Sequence, residues 1–164
     1  DARPNPAHLK LAELERAGKL SAVVTQNIDG LHQAAGSRQV YELHGSILRN
    51  YCMDCHTFYD AEYVKNAEGI PRCEKCGGMI KPDVVLYEEG LDPATISGAV
   101  RAISEADMLI IGGTSLVVYP AAGFIDYFHG KYLVLINKSE TARDVHANLA
   151  IATPIGSVME KIRV

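Results

Sequence analysis

The chain has 164 residues, 48% of them apolar and 22% charged, with a formal net charge of -4; this is ordinary for a globular domain with enough residues to bury one core. The acidic balance gives no electrostatic reason to expect nucleic acid or an anionic membrane as the main partner. No apolar run approaches the roughly 20 residues that span a bilayer and no secretory pattern opens the chain, so a cytoplasmic location is expected.

The first residues, DARPNPAH, carry no initiator methionine and read as polypeptide already under way. Asn5 followed by Pro6 has the form of a helix start, a capping side chain ahead of a proline at the first helical position. Leu9, Leu11, Ala12 and Leu14 suit one face of that helix, and Gly18 ends it. Residues 20–25 predict a short apolar strand, 30–35 a brief helix ended by Gly36, and 38–51 an extended stretch interrupted at His44-Gly45. Between 52 and 80 the chain turns to Cys, Gly and turn residues with little periodicity, the composition of a metal-organised insert. Residues 94–106 predict an amphipathic helix, 108–115 a buried strand running into a glycine turn, and 120–129 a further helix. Two more strands at 132–137 and 149–153 and a helix over 155–164 complete the series. Apolar strands alternating with helices imply an α/β fold with a parallel sheet covered on both faces. In such sheets ligands bind outside the carboxyl ends of the strands. TQNID, GGTSL and NKSE end three of the strands, so three polar loops are expected to converge on one rim.

The cysteines fall into two pairs, CMDC at Cys52 and Cys55 and CEKC at Cys73 and Cys76, with none left over. In a chain without an export signal, that pattern indicates a metal site ahead of a disulfide framework. Four thiolates complete a tetrahedral shell and leave no position for a catalytic water, so the reading is structural zinc. A redox disulfide pair or an iron–sulfur site is the alternative. Zinc binding contributes on the order of 10 kcal/mol to folding a segment otherwise too poor in apolar residues.

Other stretches allow two readings each. In TQNIDGLHQ, Asp29 suits a cap for the helix opening at Gly30, but this leaves the Gln26 and Asn27 amides, which suit a planar ligand, unexplained. Gly112 to Leu116, GGTSL, offers N–H groups and hydroxyls to a phosphate or ribose, or else a tight turn with Ser115 capping the next helix. His44 in ELHGS fits a general base near neutral pH; taken alone, an ordinary surface histidine is the simpler reading. KPDVVLYEE reads as an edge strand guarded by charges, or as an edge that accepts a peptide by β-augmentation.

Taken in order, TQNID, ELHG, CxxC…CxxC, KPDVV and GTSLxVxPA resemble the sirtuins, NAD-dependent protein-lysine deacylases, over nearly the whole chain. The resemblance implies a discontinuous Rossmann-like NAD-binding lobe at 1–44 and 81–164 and a small zinc module at 45–80. It implies NAD and an acyl-lysine peptide as substrates meeting between the two. His44 would be the catalytic base. Gln26, Asn27 and Asp29 would line the nicotinamide and ribose pocket beside the Ile28 backbone, with Asn27 a second catalytic residue beside His44. Thr114 and Ser115 would meet ribose and phosphate, Asn137 and Lys138 the adenosine side, and Ile155 the adenine. Val84 and Val85 would pair with the substrate backbone, with Tyr87 beside them. In the reaction so implied, the acyl oxygen attacks C1′ of the nicotinamide ribose as nicotinamide departs. His44 then accepts a proton from a ribose hydroxyl, and water completes the release of free lysine and O-acyl-ADP-ribose. Mono-ADP-ribosyl transfer on the same scaffold and a non-catalytic zinc-ribbon interaction module are the rival functions.

Two departures from the family pattern stand out. Its glycine-rich pyrophosphate segment and first strand would precede residue 1, so the chain alone is expected to bind NAD poorly. The family's phenylalanine-glycine-glutamate run is Tyr87-Glu88-Glu89 here, which adds a side chain at the mouth of the peptide tunnel.

Overall fold

A computed structural model describes residues 2–114, 119, 121–139 and 146–164. Packing divides the chain into two units, one of residues 1–24, 31–41 and 93–164, the other of residues 25–30 and 42–92.

In the first unit, α1 (Pro6–Arg16) starts as Asn5-Pro6 predicts. The Asn5 side chain accepts the N–H groups of Ala7 at 2.9 Å and His8 at 3.2 Å. The Asn5 N–H donates back to Nδ1 of His8, a reciprocal cap with histidine in the place usually held by Glu or Gln. Ala7, Leu11 and Leu14, spaced at helical period, meet the core, whereas Leu9 points away and is exposed. The helix stops at Gly18 with φ +68°, and the N–H groups of Lys19 and Leu20 both turn back to the Leu14 carbonyl. Those two residues are therefore spent on closing the helix. The expected strand at 20–25 shrinks to β1 (Val23–Thr25), which pairs with β2 (Val40–Glu42), and α2 (Leu31–Ala34) lies between them.

The main sheet of this unit has the order β6-β7-β8: β6 (Met108–Gly112), β7 (Tyr132–Asn137) and β8 (Leu149–Ala152), all parallel. β7 is central, and its sequence YLVLIN is nearly continuous in apolar residues because both of its faces are covered. Val134 and Ile136 face the core formed with α1 and with α5 (Ile155–Met159). Leu133 and Leu135 point the other way and are buried as well. α4 (Pro93–Ser104) packs against a 3-10 helix at Ala121–Tyr127, where a longer regular helix was expected. α5 ends five residues before the chain does, because Lys161 and Ile162 N–H groups close tighter, three-residue turns onto Val158 and Met159.

The second unit is a three-stranded antiparallel sheet of order β4-β3-β5, built from β3 (Gly45–Cys52), β4 (Phe58–Asp60) and β5 (Ile80–Val84). The insert has more regular structure than its composition promised. α3 (Ala61–Asn66) is capped by the Asp60 carboxylate, which accepts the Tyr63 N–H at 2.8 Å. Its core is small: Cys52, Tyr59, Cys73 and Ile80, with Tyr63 and Val64 packed against them.

Candidate active site

The cysteine cluster occupies one end of the second unit. Cys52 closes β3, and each CxxC pair folds as a knuckle in which the residue after the second cysteine donates its N–H to the carbonyl of the first. His56 N–H reaches the Cys52 oxygen at 3.0 Å and Gly77 N–H the Cys73 oxygen at 2.8 Å. Both donors adopt a left-handed backbone, φ +56° at His56 and +76° at Gly77. The four sulfurs lie within 4.8 Å of one another. The Cys52–Cys76 and Cys55–Cys73 pairs stand at 3.4 and 3.5 Å. A disulfide needs about 2.05 Å, whereas a tetrahedron with metal–sulfur bonds of about 2.3 Å has sulfur–sulfur edges of about 3.8 Å. The donor set fits zinc. The thiols also compete for protons. The Tyr59 hydroxyl, donating to Cys73 at 3.1 Å, is the main reason that this thiol is held down to about 6. At Cys76 a backbone bond to Gly78 favours the thiolate, yet the Cys55 and Cys52 sulfurs outweigh it and push the group up to about 12. A dication at the centre removes this conflict by favouring all four thiolates. Tyr59 in turn accepts the Glu74 N–H at 2.9 Å, so the hydroxyl is fixed in its donating orientation.

At the other end of the same unit, the TQNID loop, His44 and β5 pack together. The His44 Nδ1 lies 3.1 Å from the Gln26 carbonyl oxygen. A carbonyl only accepts, so Nδ1 is the donor, and in the neutral imidazole this leaves the lone pair on Nε2. The loop is tied on both sides: the Asn27 N–H donates to the Thr25 hydroxyl at 3.1 Å, and the Ile28 carbonyl accepts the Ile47 N–H at 3.1 Å. Gly45 has φ +77°, and a Cβ there would overlap the Asp83 carbonyl oxygen, so ELHG needs its glycine for both conformation and space. That close approach continues as the Val85 N–H donates to the His44 carbonyl at 3.1 Å. β5 has β3 on one side only, which leaves its other edge without a strand partner among the described residues. Beyond it, Leu86 to Glu89 form a turn in which the Glu89 N–H meets the Leu86 carbonyl at 3.1 Å and the Glu89 carboxylate accepts the Leu86 N–H at 2.8 Å. Tyr87 stands fully exposed at its tip.

In the first unit the carboxyl ends of β6, β7 and β8 open onto a cavity of about 670 Å³, walled by Gly113, Thr114, Asn137, Lys138, Pro154 and Ile155, with Asn5 and Pro6 at the start of α1. Gly112 is small for a reason: a Cβ there would run into the Ile155 side chain. Asn137 spends its side-chain oxygen on the Thr114 N–H at 3.1 Å. Its buried amide NH2 has no partner among the described residues and is a donor available to a ligand.

The structure thus gathers Gln26, Asn27, Ile28, Asp29, His44, Val84, Val85 and Tyr87 in the second unit together with the four cysteines, and Thr114, Asn137, Lys138 and Ile155 in the first. Ser115 lies outside the described residues. The loops after β6 and β7 do converge, joined by the loop after β8, whereas TQNID packs with the second unit. Asn5 and Pro6, read in the sequence only as a helix start, also line the cavity. Tyr59 as a partner of Cys73 carried no signal, since only the fold brings an aromatic hydroxyl to that sulfur.

A family model described as the Sir2 family matches residues 1–120. The chain is 64% identical over 163 residues to an NAD-dependent protein deacetylase of Clostridium perfringens, covering 99% of this chain and 67% of that protein. It is 66% identical over 163 residues to a protein of the same description from Clostridium acetobutylicum, covering 99% of this chain and 66% of the relative. The chain therefore spans about two thirds of the length of these curated relatives. A solved structure described as Sir2-p53 peptide-NAD+ superposes with a TM-score of 0.90 at 39% identity, covering 98% of this chain and 69% of that one.

Proposed function

This chain belongs to the Sir2 family, and on that premise we propose that it carries the core of an NAD-dependent protein-lysine deacylase, acting on acetyl-lysine in proteins or peptides. The observation that carries the proposal is the hydrogen bond from His44 Nδ1 to the Gln26 carbonyl. It ties a candidate base, with Nε2 free to accept a proton, to the loop expected to hold the nicotinamide end of NAD. NAD, as cosubstrate, supplies C1′ of its ribose to the acyl oxygen and nicotinamide as the leaving group.

The chain's own residues then have distinct tasks. The Gln26, Asn27 and Asp29 side chains, with the Ile28 backbone, hold the nicotinamide and ribose; fixed amide dipoles there favour an oxocarbenium-like centre. His44 accepts the ribose hydroxyl proton at Nε2. Thr114 and Ser115 meet ribose and phosphate, while Asn137, Lys138 and Ile155 hold the adenosine side, supported by the available Asn137 amide donor. Val84, the last residue of an edge strand, and Val85 directly after it pair with the backbone of the acyl-lysine peptide, with Tyr87 beyond them. Zinc stays outside the chemistry and holds the module at residues 45–80, a division by task within the larger packing unit. The Rossmann-like lobe is then 1–44 with 81–164. Cytoplasmic location is part of the proposal, supported by thiols arranged for a metal and by the lack of any helix long and apolar enough to cross a membrane among the described residues.

The test is nicotinamide release by the zinc-loaded full-length protein with NAD and an acetyl-lysine peptide. Release that depends on the peptide, lost in His44→Ala at unchanged zinc content, is expected. Unimpaired turnover by that variant removes the base assignment. Label passing from NAD to protein would favour ADP-ribosyl transfer, and no reaction at all a zinc-ribbon interaction module.

A further inference from the structure

We propose that Arg49 is a positioning residue for the reaction, holding His44 in register with the β5 edge; this rests on the deacylase reading above. Between β3 and β5 the ladder is broken: Asp83 faces Ser46, but the next residue, Pro82, faces Asn50. Residues 47–49 therefore leave the β3–β5 ladder as a bulge, with Arg49 still paired to Asp60 of β4; such a bulge is a device common next to active sites because it re-aims the flanking strand. Its backbone supports the TQNID loop, through the Ile47 N–H to the Ile28 carbonyl and through Leu48, whose side chain fills the space that a Cβ on Gly30 would need. On the side facing β5 this backbone needs another means of holding its shape.

Arg49 supplies it. Its Nε donates to Asp83 at 2.8 Å and its Nη1 to Glu42 at 2.7 Å. Glu42 lies two positions before His44 with its side chain only 7% exposed, and Asp83 immediately precedes Val84. One planar cation thus joins the strand that delivers the imidazole to the strand whose edge is expected to take the peptide, on either side of the tight Gly45–Asp83 approach. The two bonds leave from different nitrogens toward different carboxylates, a geometry that a guanidinium fork satisfies and a lysine ammonium does not. Loss of the clamp leaves the sheet's cysteine end intact, because Asn50, Tyr51 and Cys52 remain paired to Pro82, Lys81 and Ile80.

The experiment compares the parent, Arg49→Ala and Arg49→Lys as zinc-loaded full-length proteins, reading acetyl-peptide-dependent nicotinamide release, zinc per chain, and KM for each substrate. In both variants kcat is expected to fall about tenfold or more, since small misplacements of reacting groups carry penalties of that order. The peptide KM should rise, while the NAD KM stays within about threefold and zinc is unchanged. If Arg49→Ala fails to fold, the lysine variant decides. Either variant turning over within about twofold of the parent overturns the proposal, as does a parallel loss of zinc in Arg49→Lys, which would make Arg49 merely structural. A parent that releases no nicotinamide in response to peptide removes the deacylase reading and this role with it; an active parent with unimpaired variants removes only the role of Arg49.

Discussion

Glu88 adopts φ +69°, one of two non-glycine residues in the left-handed region among those described. It is the third residue of the Leu86–Glu89 turn, a position where type II geometry favours glycine. In the sequence, Tyr87-Glu88-Glu89 was visible as a departure from a glycine-centred pattern, but the backbone angle that explains the glycine was not. Glu88→Gly is therefore expected to stabilise the protein by about 1 kcal/mol, less the extra freedom that glycine gives the unfolded chain. Thermal unfolding should show a rise of at most about 2–4 °C. Next to it, the Leu86 N–H is the main reason that the Glu89 carboxyl lies below its ordinary range, with Lys81 assisting at 3.4 Å. A lowered folded value means that this stabilisation is present above the unfolded glutamate pKa of about 4.3 and is lost as pH falls through the folded one. Glu89→Gln should flatten that acid-range portion of a denaturation series, and an unchanged acid dependence would show that the carboxylate does not hold the turn.

Among the elements, those with local signals were the most legible. α1 begins where Asn5-Pro6 placed it, and removing its cap by Asn5→Ala should cost about 1 kcal/mol in denaturant unfolding. β7 was readable over its full length because a strand covered on both faces needs no alternation. α3 was not: a six-residue helix is too short to show periodicity, and its start signal, Asp60 three residues before Tyr63, is easily lost among turn residues. The strand at 20–25 was overextended because the hydrogen bonds that consume Lys19 and Leu20 return to Leu14 and leave no trace in composition. The candidate site divides in the same way. Motif order singles out His44 and the loop at 26–29 as candidates, but neither the Gln26 carbonyl beside His44 nor the ion pairs of Arg49 with Glu42 and Asp83 can be read without the fold. Gly45→Ala tests the close approach at the element scale: a side chain meeting the Asp83 carbonyl, added to left-handed strain, should cost more than about 2 kcal/mol. Retention of parent stability in that variant would mean that the β3–β5 contact is looser than the geometry says.

At the scale of the whole molecule, each unit has its own core, and the two differ in kind. Ala7, Ile136 and Met159 anchor a broad apolar layer between helices and a parallel sheet, whereas the other core counts two of the metal-site cysteines among its four buried residues. A binding contribution on the order of 10 kcal/mol is comparable to the entire stability of a small domain, so the second unit depends on zinc. Chelation is expected to release hydrogen-exchange protection in β3, β4 and β5 while the amides of β6 to β8 keep theirs; equal protection before and after metal removal would contradict this. The bulge at residues 47–49 adds a constraint on evolution that neither motif reveals alone. Side chains on a strand alternate between faces, so deleting a single residue from the paired stretch that follows the bulge would turn Cys52 from the interior to the solvent side and take one of the four sulfurs from the metal. The paired stretch from Asn50 to Cys52 is thus a ruler with little tolerance, and insertions or deletions in relatives should gather in the bulge or outside the strand.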